Sequence, residues 1–170
     1  MDIWKYYDGD LKYINLLSYI YSNEALNDKE SRKEILKTRP EWAYKQAEAL
    51  HDKFPEGEPA IAKHTKYSYL YATNILKCPF PLGEPVIAKD PYYAYGYSKY
   101  VLKNKFPEGE SAIATKSDNS HYYAKFVLKG PFPLGEPAIA KDPYYSKKYT
   151  NDILKKDFIL DGKLICKYEG

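Results

Sequence analysis

Eight side chains in this sequence have types and spacing suited to holding a ligand: Tyr69, Tyr95, Lys99, His121, Tyr122, Lys125, Lys147 and Lys148. They belong to a stripe that recurs on four segments. It reads Lys66, Tyr69, Leu70, Thr73 in the first and Tyr92, Tyr95, Gly96, Lys99 in the second. The third gives Asp118, His121, Tyr122, Lys125, and the fourth Tyr144, Lys147, Lys148, Asn151. Spacings of three and four put each set on one face of a helix. Tyrosine rings mixed with lysines can anchor a protein partner; the same mixture can stack bases and contact phosphates. It also describes a solvated face whose rings lie flat against neighbours. Chemistry on covalent bonds has little support. His51, His64 and His121 show no metal-ligand spacing, and no Walker loop, GxGxxG, HExxH or GxSxG occurs. The chain reads as non-enzymatic, with no catalytic residue, no metal ligand and no cofactor.

The stripe varies while the columns around it stay fixed. Phe-Pro-x-Gly-Glu recurs at Phe54, Phe80, Phe106 and Phe132, always 26 residues apart. Ile61, Ile87, Ile113 and Ile139 keep the same period, as do Tyr71, Tyr97, Tyr123 and Tyr149, and Leu76, Leu102, Leu128 and Leu154. Each of those leucines is followed by a lysine. Such a period marks a tandem array. Five units are assigned, at 28–53, 54–79, 80–105, 106–131 and 132–157, with caps at 1–27 and 158–170, all in a single repeat domain. The first unit is divergent: Pro40-Glu41-Trp42-Ala43-Tyr44 aligns with Pro91-Tyr92-Tyr93-Ala94-Tyr95 only after a one-residue slip. Residues 78–93 and 130–145 agree at 14 of 16 positions, so a 52-residue block is superimposed on the shorter period.

Within a unit, Asp90-Pro91 and Asp142-Pro143 are helix starts. An amphipathic helix of about 13 residues follows, ending near Lys103, where Phe-Pro approaches. Pro81-Leu82-Gly83 is turn chemistry, and Glu84-Pro85 opens a second helix of one or two turns. The glutamate column (Glu58, Glu84, Glu110, Glu136) is read as helix-dipole and capping service, and the Lys77 column as its counterpart at helix C-termini. Neither helix buries its apolar face alone, so stacking is required, and the small Ala72, Ser98, Ala124 and Thr150 column allows close approach. The predicted fold is all-α: a short-repeat α-solenoid of helix pairs, with an N-terminal capping helix at 11–22 and a C-terminal hairpin at Asp161-Gly162. The fourth unit departs most, since Thr115–His121 loses the Pro and both tyrosines, and Asn119 stands where Tyr93 and Tyr145 stand.

The charge balance narrows the ligand. A formal net charge of +3 is small, and only Arg32 and Arg39 among 26 basic residues are arginines. Bidentate base reading relies on arginine, so sequence-specific nucleic-acid binding is not expected. Cys78 and Cys166 form no CxxC, which favours a reducing compartment. No signal peptide or membrane-spanning run is read, and no membrane partner is expected.

Residues 90–114, Asp-Pro-Tyr-Tyr-Ala-Tyr-Gly-Tyr-Ser-Lys-Tyr-Val-Leu-Lys-Asn-Lys-Phe-Pro-Glu-Gly-Glu-Ser-Ala-Ile-Ala, resemble tandem repeats in uncharacterised proteins of bacteriophages and large DNA viruses. Those repeats read Tyr-Ala-x-x-Val-Leu-Lys-Gly-x-Phe-Pro-x-Gly-Glu, and the match covers about 28–157. Lys129-Gly130 keeps the usual Lys-Gly, whereas Cys78, Asn104 and Lys156 replace that glycine. The resemblance implies a viral or prophage origin and action in the cytoplasm of an infected bacterial host. The expected function is binding of a host protein, with interference in a host system that includes antiviral defence. The alternatives are a sponge for a nucleotide-type signalling molecule and a structural or scaffolding protein. Monomer and homo-oligomer both remain open.

Overall fold

Asp142 and Pro143 start a helix for two separable reasons. The Asp142 carboxylate accepts from the backbone N–H groups of Tyr144 at 3.0 Å and Tyr145 at 3.2 Å. Pro143 has no N–H to leave unsatisfied. Asp90 accepts from Tyr92 and Tyr93 at 2.9 and 3.0 Å in the same way. Both starts stand where the sequence puts them. The structure is a computed structural model that describes residues 34, 35 and 37–170. The expected capping helix at 11–22, the rest of the 1–27 cap and the opening of the 28–53 unit lie outside the described residues.

The described chain is mostly helical and divides into two compact units, Met1–Gly83 and Glu84–Gly170. The first holds α1 (Pro40–Leu50), α2 (Glu58–Ile61) and α3 (Thr65–Leu70), with α3 prolonged by a π-helical turn at Tyr71–Leu76. The second holds α4 (Glu84–Ile87), α5 (Pro91–Gly96), α6 (Pro107–Ile113), α7 (Ser117–Tyr123), α8 (Glu136–Ile139) and α9 (Pro143–Tyr149). There α5, α7 and α9 continue as π-helical turns over Tyr97–Leu102, Ala124–Leu128 and Thr150–Leu154. Short 3-10 turns at Pro55–Gly57, Pro81–Gly83 and Pro133–Gly135 carry the Phe-Pro-x-Gly motif. The chain ends in an antiparallel hairpin, β1 (Phe158–Leu160) and β2 (Lys163–Cys166), with Leu160 opposite Lys163 and Ile159 opposite Leu164. Asp161 (φ 49°) and Gly162 (φ 75°) both take the left-handed conformation that a two-residue loop demands.

The π turns explain the one-residue slip. Arg39 and His51 flank the 11 residues of α1, which is α-helical throughout. The corresponding caps of α3, α5, α7 and α9 flank one residue more. A π-bulge is a single-residue insertion into an α-helix. The inserted residue shifts the N-terminal part of each later helix by one position while the C-terminal ends stay in phase. His51, Lys77, Lys103, Lys129 and Lys155 all take φ between 51° and 54°, in the left-handed region, and their numbers rise by 26.

Those lysines are strained caps. Glycine is the ordinary occupant of this conformation, and an L-residue there costs roughly 1 kcal/mol. Lys103→Gly is therefore expected to stabilise the protein by about 0.5–1 kcal/mol, seen as a midpoint rise of a few degrees, while Lys103→Ala gives no gain. The lysines thus fix the end of each helix through their backbone conformation, in addition to the dipole role read from sequence.

The core is built on one repeated junction. Tyr71, Tyr97, Tyr123 and Tyr149 are fully buried. In the first unit the Tyr71 hydroxyl donates to Glu58 Oε1 at 2.9 Å and accepts from the Phe54 N–H at 2.9 Å. In the second, Tyr123 donates to Glu110 at 2.8 Å and accepts from the Phe106 N–H at 3.0 Å. Tyr149 does the same with Glu136 and Phe132, at 2.9 and 2.8 Å, and Tyr97 donates to Glu84 at 2.8 Å. The glutamates' side chains therefore take the hydroxyl of a tyrosine 13 residues later, a duty the dipole-and-cap reading does not include. Each tyrosine ring also meets a phenylalanine: Tyr71 with Phe80, Tyr97 with Phe106, Tyr123 with Phe132, at centroid distances of 5.0–5.3 Å. Phe158 of β1 fills that role for Tyr149 at 5.5 Å, so the hairpin supplies the ring that a further Phe-Pro motif would have supplied.

Candidate functional site

In the second unit the stripes of α5, α7 and α9 meet in a connected set of rings. Tyr95 stacks on Tyr122 with centroids 6.2 Å apart and planes at 26°. Tyr122 in turn stacks on Phe126 at 6.0 Å and meets Tyr145 edge-on at 6.0 Å. Tyr145 packs against Tyr144 at 5.0 Å. The helices place these rings because α5 and α7 offer residues 95 and 122 one repeat plus one residue apart, so one turn of each fits beside the other. The rings help each other bury apolar area and favour offset or edge contacts.

Lys99 is drawn into this set, whereas the other lysines of the stripe find partners at its edge. Lys99 Nζ donates to the Tyr95 hydroxyl at 3.1 Å and lies 4.3 Å from the Phe126 ring centre and 5.0 Å from that of Tyr100. The bond to Tyr95 raises the Lys99 pKa above its usual value. Lys125 pairs with Asp152 at 2.6 Å, and that hydrogen bond is the largest cause holding the Asp152 carboxyl below its usual range. Lys147 pairs with Glu169 at 2.7 Å. Lys148 lies over the Tyr144 ring at 4.5 Å. Burial pushes Tyr145 up to about 12, so that phenol is neutral at physiological pH.

His121 is placed differently from the expectation. The sequence sets it on the open face, but only 1% of it is exposed. Its ring lies 5.3 Å from Tyr122 and 5.7 Å from Tyr145, and its Nδ1 is buried without a hydrogen-bond partner. Nε2 stands 3.8 Å from Asp152, beyond hydrogen-bond reach. Burial lowers its pKa below 6.5, against the raising effect of Asp152 and with lesser help from Lys125 and Lys148. A histidine depressed in the folded state takes a proton more readily when unfolded. It therefore leaves stability intact above pH 6.5 and removes it as pH falls from 6.5 toward the folded pKa. The melting temperature is expected to decline between pH 7 and pH 5.5, and His121→Leu is expected to flatten that slope. The fourth repeat's departure has a packing role, since Asn119 and His121 are both buried.

Seven of the eight sequence candidates lie in the second unit, where Tyr95, Lys99, His121, Tyr122 and Lys125 are brought together and Lys147 and Lys148 stand on the outer face of α9. Tyr69 belongs to α3 of the first unit and is half-buried, its carbonyl accepting from Thr73 Oγ1 at 2.9 Å. Among the described residues the most exposed Tyr and Phe rings are different ones: Tyr92 (66%), Tyr100 (58%), Phe126 (47%) and Tyr144 (58%). Tyr100 and Phe126 escaped the sequence reading, although the column Asn74, Tyr100, Phe126, Asp152 varies as freely as the stripe itself. That variation was the available signal. Among the described residues no helix is long and apolar enough to cross a membrane. Cys78 is exposed, Cys166 half-buried, and both are free thiols.

No protein-family model, curated protein or solved structure matches this chain.

Proposed function

We propose that this chain is a non-enzymatic binding protein of the short-repeat α-solenoid type, and that its second unit engages a partner protein through the Tyr- and Lys-rich face of α5, α7 and α9. The observation that carries the reading is the exposure of Tyr100, Phe126 and Tyr144, joined through Lys99, Tyr122 and Tyr145 into one patch. Large aromatic rings left in water at neighbouring positions cost solvation and are the usual anchors of protein interfaces. The solenoid reading draws on the Tyr–Glu–Phe junction recurring inside each unit. The choice of a host component as target, and interference with host systems including antiviral defence as purpose, rests on the repeat resemblance.

A nucleotide sponge fits less well. It needs several lysines converging on one enclosed space, and Lys125 and Lys147 are already paired with carboxylates. Native mass spectrometry of the protein purified from bacteria separates the readings. The protein-binding reading predicts the mass of the bare polypeptide or of a complex with another protein. A retained small-molecule mass would overturn it in favour of the sponge, and a concentration-dependent ladder of homo-oligomers would favour a scaffold.

A further inference from the structure

The outer face of α9 carries a groove of about 300 Å³ lined by Pro143, Tyr144, Lys147, Lys148, Asn151 and Asp152. The corresponding faces of α5 and α7 are covered by the next long helix of the second unit: Tyr95 lies on Tyr122, and Lys125 reaches Asp152. On α9 the groove stays open, and its charges are unevenly balanced. Asp152 is neutralised by Lys125 at 2.6 Å. Lys148 has no carboxylate within ion-pair distance among the described residues and rests on the exposed Tyr144 ring instead. Lys147 does have a carboxylate, that of Glu169, which reaches it from the segment after β2 at 2.7 Å while both side chains stay largely exposed. Glu169 is thus an intrachain example of what this face accepts.

Building on the binding reading above, we propose that the α9 groove takes an acidic segment of a partner protein, and that Glu169 competes with that segment for Lys147. Two adjacent ammonium groups beside an apolar ring suit a polypeptide in which carboxylates and apolar side chains alternate. They suit a phosphodiester strand less, because lysines do not offer the bidentate fork of arginine. The Lys147–Glu169 pair is exposed and weak, so a partner carboxylate displaces Glu169 at small cost.

The test uses the full chain and a fluorescein-labelled copolymer of glutamate and tyrosine, followed by fluorescence anisotropy. Wild type is expected to bind, more weakly as salt rises. Glu169→Gln is expected to tighten binding about threefold, the scale of one exposed ion pair. Lys148→Glu is expected to weaken it about tenfold by setting like charges face to face. Both positions are at the surface, so melting temperatures should match wild type, and the gain in the first variant cannot arise from misfolding. Absence of wild-type binding, or no response to either substitution, overturns the inference. So does equal affinity for an oligothymidylate, which would assign the groove to nucleic acid. A protein partner lost on mutation of Tyr100, Phe126 and Tyr144 but indifferent to Lys148→Glu and Glu169→Gln sinks this inference alone and leaves the binding reading standing.

Discussion

Tyr123→Phe is expected to cost about 2–3 kcal/mol of folding stability. The hydroxyl it deletes accepts from the Phe106 N–H and donates to Glu110. Losing it leaves a buried donor unsatisfied at about 1–3 kcal/mol and deprives a carboxylate of a charge-assisted bond. Nothing is gained in return, because the ring stays in the same site against Phe132. At roughly 2–4 °C per kcal/mol for a chain of this size, the thermal midpoint should fall by about 4–12 °C. Tyr100→Phe is the control, since that side chain is 58% exposed and its hydroxyl is exchangeable for water. Burial pushes the Tyr123 phenol far above its usual pKa, so the junction holds throughout the physiological range.

Gly109→Ala is expected to be comparably damaging for a steric reason. A Cβ built there would lie 2.6 Å from the Phe106 ring and 2.8 Å from the Ala94 Cβ. Neither neighbour is the loose end of a flexible side chain: Phe106 is 1% exposed and Ala94 fully buried. Relief requires α5 and α6 to move apart, which opens the packing around Tyr97 as well. Overpacking of this kind costs typically 1–3 kcal/mol. Gly57, Gly83 and Gly135 stand in the same relation to Ala43, Ser68 and Ser120, so the Gly of Phe-Pro-x-Gly-Glu is fixed by close approach of two helices. Gly130→Ala is the informative contrast. Its nearest neighbour is a carbonyl oxygen at 4.0 Å, and urea denaturation should find it close to wild type.

These two residues show which information the sequence held. Local signals were legible: Asp and Pro at helix starts, Phe-Pro after helix ends, Asp-Gly between two apolar runs, and the hairpin and helices lie there. The 26-residue period also singled out Tyr123, Glu110, Phe106 and Gly109 as fixed. It did not say that the tyrosine hydroxyl, the glutamate and the phenylalanine N–H form one junction, because partners 13 and 17 residues apart are joined by the turn of the chain and not by any helix periodicity. The π turns were hidden for a related reason. An inserted residue in a helix leaves composition unchanged and shows only as a slip in register, which the first unit displays. On the face, helix spacing identified Tyr95, Tyr122 and Lys99 as neighbours in a stripe. It could not tell an open stripe from one that the following helix covers, so His121 falls in the interior while Tyr100 and Phe126, one position along, reach water.

The central claim is that the exposed rings of α5, α7 and α9 form a surface for a partner protein. The direct measurement is quantitative capture from bacterial extract by immobilised wild type and by a Tyr100→Ser, Phe126→Ser, Tyr144→Ser variant. The variant must first be shown to keep the wild-type circular dichroism and melting temperature. The account predicts that a protein retained in near-stoichiometric amount by wild type is lost, or reduced at least about tenfold, with the variant, since each aromatic anchor contributes on the order of 1–2 kcal/mol. Retention of the same protein in the same amount by both would contradict it.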